Sequence, residues 1–320
     1  MTKSQRVAVA GGTGGIGQHV VEGLLSFHKR SPDALPTVII LSRSARPDVE
    51  FEGVRAPVYA VDYTDPSSIE KVLNEHKIDT IISTLSGEPS KFIPAQENLL
   101  SAALRVPTVH RFAPSEFAPD SERAVSASLF RMKHPILKSL REAKAQRPGT
   151  FEFTKFICGI FMNYLGFGNT KPDGLKAHGH MPAFPYIVDL SKQSADVPGD
   201  GSTKMWWTTA EDVGRFVAAA TQLETWPEES TMTGDVLTFN ETIQLAEKIT
   251  GKKFEIKNNT REDIQARMDP NPTSWFGNFH LETYICYINN EHVQTSVLNE
   301  LTDVRPVKLE EFLQKWWGEE

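Results

Sequence analysis

The 320-residue chain is 39% hydrophobic and 23% charged, an ordinary globular composition with enough length for one large domain or two sharing a core. Its formal net charge is −7 and no basic run is visible, so the sequence predicts no nucleic-acid partner. The two cysteines, Cys158 and Cys286, lie outside any CxxC pair or His/Cys cluster, which argues against a disulfide framework and a zinc site.

Short apolar runs alternate with segments of helical period through the first half of the chain. The pattern predicts strands at 7–10, 37–41, 58–61, 80–85 and 109–112, and helices at 16–27, 67–76 and 96–104. Helical periodicity resumes over 130–145, where Pro135 interrupts it. Strands alternating with helices are typical of βαβ units, so we predict an α/β fold with a doubly wound parallel sheet.

The second half is less regular. The pattern predicts a strand at 151–156, a loop-rich stretch over 174–197, a Trp-bearing strand after the VPGDGST turn, and helices at 210–222, 242–249 and 307–317. No repeat or low-complexity linker separates the halves. We therefore predict a nucleotide-binding domain over 1–155 and a smaller substrate lobe over 156–320, some of whose segments return to the first core.

Residues 7–17, VAVAGGTGGIG, place five glycines in the last seven positions, where the first strand ends and the first helix begins. Gly11 would allow the tight turn, Gly14 a close backbone approach to a pyrophosphate, and Gly17 the packing of helix on strand. The free N–H groups at that helix N-terminus would face the phosphates. The sequence therefore predicts an NAD(P)-binding Rossmann fold. Thr13, Gly15 and Ile16, with Ser83 and Thr84 at the fourth strand, complete the predicted loop site.

The end of the second strand discriminates between the two nicotinamide dinucleotides. A carboxylate there favours NAD and an Arg favours NADP. This chain has Arg43 and Arg46 and no acid in the SRSAR run, which favours NADPH/NADP+, although Arg43 could also be an ordinary surface cation. After the third strand, Asp62 could contact the adenine amino group or cap the next helix.

These motifs together carry a family resemblance. VAVAGGTGGIG, the Arg43 strand end, VDYTD, HRFAPSEFAPD at 110–120, TKFICGIFMNYLG and PGDGSTKMWWTTAEDVGRF resemble the isoflavone reductase-like and NmrA-like branch of atypical short-chain dehydrogenases. Consistent with an atypical member, none of the six tyrosines is followed four residues later by the Lys of the usual Tyr–Lys dyad.

The resemblance implies that a lysine shortly after the RFxPSEFG element manages a proton beside the nicotinamide, and Lys133 stands at that place. A desolvated lysine near a nicotinamide has a pKa lowered toward the working range. Two departures affect this assignment: Ala118 replaces the usual Gly, and Pro135 should start or kink a helix next to Lys133. Lys138 is the alternative.

Further site candidates each have a structural alternative. Ser115 could shape the cofactor edge or cap a helix. Asn163, Tyr164, Phe117 and His180 are predicted substrate contacts that could equally be core or loop residues. His178 and His180 form an HxH pair without a nearby carboxylate or cysteine in sequence, so no metal is predicted. The aromatic segments 181–186 and 275–287 could close over the nicotinamide.

The leading prediction is an NADPH-dependent reductase of a small, largely apolar or aromatic metabolite, such as one of secondary metabolism. An NmrA-like redox sensor that binds NADP without turnover is the alternative, and a cofactor-using isomerase or lyase is a further one. The opening MTKSQR carries no signal segment, and no apolar run of membrane-spanning length occurs. We therefore expect a cytoplasmic protein without a membrane partner. A monomer or a homodimer is expected.

Overall fold

The computed structural model describes residues 3–30 and 37–319, and its elements follow the alternation predicted for the first half. Numbered along the chain, the strands are β1 (Arg6–Ala10), β2 (Thr37–Ser42), β3 (Val49–Phe51), β4 (Val54–Ala56), β5 (Val58–Ala60), β6 (Thr80–Ser83), β7 (Arg111–Ala113), β8 (Glu152–Phe153), β9 (Lys155–Ile157), β10 (Ile160–Phe161), β11 (Val188–Asp189), β12 (Ser194–Pro198), β13 (Lys204–Thr208), β14 (Glu229–Thr231), β15 (Asp235–Thr238) and β16 (Glu255–Asn259). The helices are α1 (Gly15–Arg30), α2 (Pro66–Glu75), α3 (Pro89–Arg105), α4 (Ser128–Arg131), α5 (His134–Gln146), α6 (Ala210–Ala220), α7 (Phe239–Thr250), α8 (Arg261–Arg267), α9 (Phe279–Ile288), α10 (Val297–Leu301) and α11 (Leu309–Trp317).

The central sheet has six strands in the order β5-β2-β1-β6-β7-β8, and every pairing in it is parallel. In sequence order of the sheet strands this is 3-2-1-4-5-6, the doubly wound arrangement of the Rossmann fold, so the predicted fold class is confirmed. The direction of winding reverses between β1 and β6. Ligands of such sheets bind outside the carboxyl ends of the strands at that point, which places the loop after β1 at the binding crevice.

Helices cover both faces of the sheet. Successive side chains of a strand point to opposite faces, so each buried strand contributes apolar side chains to two cores. Val7 and Val9 of β1 pack into the core shared with α1 and α6, whereas Ala8 and Ala10 pack into the core shared with α2, α3 and α5. The alternation of valine and alanine in VAVA thus fits a strand buried on both faces.

The interruption predicted at Pro135 is confirmed. The 130–145 periodicity divides into α4 and α5, Pro135 lies in the first turn of α5, and Lys133 is the residue that caps α5 at its N-terminus. Proline is tolerated there because the first turn of a helix has no intrahelical partner for its N–H groups.

The second half forms two three-stranded sheets, β10-β13-β15 and β11-β12-β16, around a third core. The predicted Trp-bearing strand is β13, in which Trp207 is buried and Trp206 is half-buried. The β3–β4 hairpin, β16, α8 and α9 have no counterpart among the predicted elements. None of the described helices combines the length and the apolar character needed to span a membrane.

Part of the second half returns to the first core. Helix α6 crosses α1 so closely that a Cβ on Gly23 would lie 2.3 Å from the carbonyl carbon of Gly214, and one on Gly214 would lie 2.1 Å from the carbonyl oxygen of His19. Arg111 of β7 is fully buried, donates to Glu152 at 2.7 Å, and donates to the carbonyl of Thr221 after α6 at 3.2 Å. The six strands of the sheet all lie before residue 156, but residues from beyond 156 complete the core on one of its faces.

Replacing Gly214 with alanine is expected to lower the free energy of unfolding by about 3 kcal/mol, the upper end for overpacking, because backbone on α1 blocks the new methyl group. Chemical denaturation of the ligand-free protein measures this loss. Gly14→Ala is the matched control: its Cβ would have no atom within 4 Å, so a change below about 0.5 kcal/mol is expected. Equal stability of the two variants would contradict the close helix contact.

Candidate functional site

A cleft of about 1340 Å³ lies at the carboxyl ends of β1 and β6. The loop after β1 forms one part of its wall, and segments following β2, β5, β6 and β7 form others. The predicted residues that line it are Gly11, Thr13, Gly14, Gly15, Ile16, Arg43, Asp62, Thr84, Ser115, Phe117, Lys133 and Tyr164. Residues separated by more than a hundred positions in sequence therefore share one cavity.

The three motif glycines occupy different environments in the loop. Gly11 has a φ of +84°, which L side chains rarely adopt. Gly17 lies beneath the loop, where a Cβ would be 2.3 Å from the Gly11 carbonyl oxygen and 2.4 Å from Thr84 Oγ1. Gly14 has no atom within 4 Å of a built Cβ. The surface over Gly14 is therefore open, as a close backbone approach by a phosphate requires.

Polar residues on the neighbouring strands have distinct roles. Thr84 lines the cleft while its hydroxyl donates to the Ala10 carbonyl at 2.8 Å, and Ser115 lines it while donating to the Leu85 carbonyl at 2.8 Å. Ser83, also predicted in the cofactor site, is turned away: its hydroxyl donates to Gln96 Oε1 at 2.5 Å in the protein interior. Ser83 ends β6 and Thr84 follows it beside β1, so their successive side chains point to opposite faces.

Cationic side chains border the cleft near the end of β2, where exposed Arg43 and Arg46 both line the cavity. Asp62 also lines it, but its carboxylate accepts from the Thr64 N–H at 2.8 Å and the Thr64 hydroxyl at 2.7 Å, and these bonds lower its pKa. The cap of α2 is Asp65, not Asp62. Sequence reasoning passed over exposed Lys91 of α3, a further cation on the cleft wall.

Lys133 reaches the cleft from the N-terminus of α5. Its Nζ donates to the Glu116 carbonyl oxygen at 2.6 Å, and burial lowers its pKa, opposed by the Glu116 carboxylate. Burial also raises the pKa of Glu116, which accepts from the Ser121 N–H and hydroxyl. Lys138 does not line the cleft; its side chain is 81% exposed and pairs with Glu142. The geometry thus places Lys133, rather than Lys138, where a ligand would lie.

Two predicted substrate residues lie outside the cleft. Buried Asn163 donates to the Ala177 carbonyl at 3.1 Å and accepts from the Ala210 N–H at 2.7 Å, so it joins a 3-10 turn to the start of α6. The ring of His180 contacts Glu22 of α1 at 2.7 Å. Asn163 therefore joins elements within the second half, whereas His180 connects the second half to α1 of the first. The spacing of the two residues in sequence reveals neither contact.

His19, Glu22 and His180 bring potential ligand atoms within 4.8 Å of one another. The HxH pair has no nearby carboxylate in sequence, but the fold brings Glu22 to 2.7 Å from His180, and Glu211 lies 4.0 Å from His19. However, His19 Nε2 accepts the His180 N–H at 2.9 Å, which leaves the proton of the neutral ring on Nδ1, the nitrogen that faces those carboxylates. A metal would have to displace this proton, and the absence of a metal stays a prediction.

A second cavity of about 390 Å³, called the side chamber, adjoins the cleft. Phe117, Phe130, Phe161, Tyr164, Phe276 and Phe279 line both cavities, so the two are direct neighbours. Tyr186, Thr283 and Tyr287 line the chamber alone. Trp275 and Phe276 at the rim are each 46% exposed. The two aromatic segments singled out in the sequence, 181–186 and 275–287, therefore meet around the cleft and its chamber.

Comparisons with known proteins give a consistent relationship. A family model described as the NmrA-like family matches residues 3–313. Oxidoreductase BOA1 of Botryotinia fuckeliana (strain B05.10) is 33% identical over 251 residues, covering 78% of this chain and 77% of that protein. Pinoresinol reductase 2 of Arabidopsis thaliana is 24% identical over 97% of this chain and 96% of its own. A solved structure of AtPrR2 with NADP+ and (+)pinoresinol superposes with a TM-score of 0.75 at 22% identity, covering 99% of this chain and 100% of that one.

Proposed function

Given that this chain belongs to the NmrA-like family, we propose that it is an NADPH-dependent oxidoreductase that reduces a small, largely apolar or aromatic metabolite. The observation that carries the proposal is a cleft that combines the glycine loop, the Arg43 cation and Lys133 and that adjoins an aromatic chamber. The family match confirms the family resemblance inferred from the glycine loop and the 110–120 segment.

The residues of the cleft fit a dinucleotide. The open surface over Gly14 accommodates the pyrophosphate, and the N-terminus of α1 provides N–H groups toward it. When bound, NADPH supplies the hydride. The Lys133 ammonium provides the proton at Nζ, and burial, which lowers its pKa, makes that transfer easier. The aromatic walls of the chamber exclude water and hold an apolar substrate.

Arg43 is expected to make NADPH bind more tightly than NADH, because a guanidinium pairs with the 2′-phosphate that NADH lacks. Arg43→Asp should narrow or invert that preference. Dissociation constants for both cofactors, measured by fluorescence titration at one stated salt concentration, test it. Lys252→Asp is the control, since it makes the same charge change at an exposed position outside the cleft. Equal affinity of the unmodified protein for both cofactors would oppose the assignment.

Turnover separates the proposed reductase from its alternatives. NADPH oxidation is followed with a panel of aromatic ketones, enones and imines. Sustained oxidation with any of them supports the reductase and rules out a sensor that only binds NADP. Cofactor binding without oxidation across the panel supports the sensor, whereas product formation without net NADPH consumption supports an isomerase or lyase.

A further inference from the structure

The side chamber contains a row of three hydroxyl groups, contributed by Tyr287, Tyr186 and Thr283. The Tyr186 hydroxyl contacts both the Tyr287 hydroxyl and Thr283 Oγ1, the latter at 3.1 Å. Thr283 Oγ1 in turn contacts the His280 carbonyl oxygen at 2.7 Å. All three side chains line the chamber, whose remaining wall is largely aromatic. We call these three residues the hydroxyl row.

The contacts fix the direction of every proton in the hydroxyl row. A carbonyl oxygen only accepts, so the Thr283 proton points to His280 and its oxygen must accept from Tyr186. Tyr186 has then used its one proton, so its contact with Tyr287 requires Tyr287 to donate. All three protons are engaged, those of Tyr186 and Tyr287 within the row and that of Thr283 by the His280 carbonyl oxygen, while the oxygens of Tyr186 and Tyr287 retain lone pairs.

From this accounting we propose that the hydroxyl row is a specificity determinant that presents only hydrogen-bond acceptors to the side chamber. It selects ligands that carry a hydroxyl group at that position over those that carry an ether or carbonyl oxygen. The inference rests on the proposed function insofar as the side chamber is the substrate site. It extends the proposed function by specifying the polar group, a hydroxyl, that the substrate carries away from the reacting carbon.

The other polar groups of the chamber do not obscure this selection. The Tyr284 hydroxyl is directed to Asp196 at 3.4 Å, and His280 is exposed at the edge. The hydroxyl of Tyr164, which lines both cavities, has no hydrogen bond to the described part of the chain and can therefore donate to a ligand, but it is not part of the hydroxyl row. An ether oxygen placed against the hydroxyl row would lose its water partners and gain none, an expected penalty of about tenfold or more in affinity.

The test compares 2-naphthol with 2-methoxynaphthalene by isothermal titration calorimetry, with and without NADP+. An apolar chamber alone would bind the more hydrophobic ether at least as well. We expect 2-naphthol to bind about tenfold more tightly or better. Equal affinities, a preference for the ether, or no binding of either compound would overturn the proposal. Because no turnover is measured, this result is independent of whether the protein proves to be a reductase.

Thr283→Val provides the sharper test. Removing the Thr283 acceptor frees the Tyr186 proton to point into the chamber, so the ether should gain affinity and the preference should disappear or invert. Thr250→Val is the matched control: it removes a helical hydroxyl that donates to the Ala246 carbonyl at 2.7 Å and lines neither cavity, so it should leave the preference unchanged. Thermal melts verify that each variant is folded, and Thr283→Ala replaces Thr283→Val if the valine variant is not. An unchanged preference in a folded Thr283 variant would contradict the deduced proton direction.

Discussion

Lys133→Met is expected to lower kcat by about 10²–10⁴-fold while the protein remains folded and keeps most of its NADPH affinity, because general acid catalysis typically contributes that factor. Methionine retains the aliphatic contacts of the side chain and removes only the ammonium that donates to the Glu116 carbonyl. Steady-state kinetics and a direct NADPH titration distinguish the loss of proton transfer from a loss of binding.

Lys138→Met is the matched control, because that side chain is 81% exposed and its ion pair with Glu142 is long, at 4.0 Å. It should be nearly silent. The pH profile gives an independent readout: Lys133 donates only when protonated, so kcat should fall as pH rises through a pKa that burial has moved below the usual lysine value. Full activity of Lys133→Met would assign the proton to water, to Tyr164 or to the substrate.

Gly14→Val should leave the fold intact and weaken NADPH binding by up to about 150-fold, corresponding to 1–3 kcal/mol of steric cost. Gly14 lacks a positive φ, and a built Cβ there has no neighbour within 4 Å, so the ligand-free chain accommodates a side chain. The two methyl groups would instead occupy the space above the loop that the pyrophosphate needs. Titration with NADPH measures the effect.

Gly17→Ala is the informative comparison for that variant. Its Cβ would lie 2.3 Å from the Gly11 carbonyl oxygen, so this substitution should destabilise the protein even without cofactor. Substitutions at these two glycines, three residues apart, are thus expected to have different effects. The change at Gly14 should impair cofactor binding, and the change at Gly17 should impair folding. Unchanged NADPH affinity in folded Gly14→Val would refute the placement of the pyrophosphate over Gly14.

Local patterns predicted the features that depend on local chemistry. The β1 strand, the glycine loop and α1 follow from an alternating apolar run, a demand for unusual backbone angles and a helical period. The break at Pro135 follows from the geometry of one residue. For this reason the sequence predicts a helix start or kink next to Lys133, and the structure has α5 begin there, with the Lys133 amine against the Glu116 carbonyl oxygen.

Contacts between distant segments were not predictable in this way. Asn163 and His180 stand beside cleft residues in sequence, yet their partners, Ala210 and Glu22, come from other elements and draw them out of the cleft. Helix α9, which supplies Phe279, Thr283 and Tyr287 to the chamber, is mostly apolar and aromatic, and its few polar residues do not form the polar face by which an amphipathic helix is identified. The hydroxyl row was not predictable either, because Tyr186 and Tyr287, which are in contact, lie roughly a hundred positions apart in sequence.

The crossing of α1 by α6 also determines when the protein can fold during synthesis. The sheet is complete in sequence once β8 has emerged from the ribosome, but the apolar face beneath α6 stays uncovered until translation has passed residue 220. At about 5–20 residues per second that interval lasts several seconds. The nascent first half therefore exposes an aggregation-prone surface throughout, and chaperone engagement is expected to end only as α6 is translated.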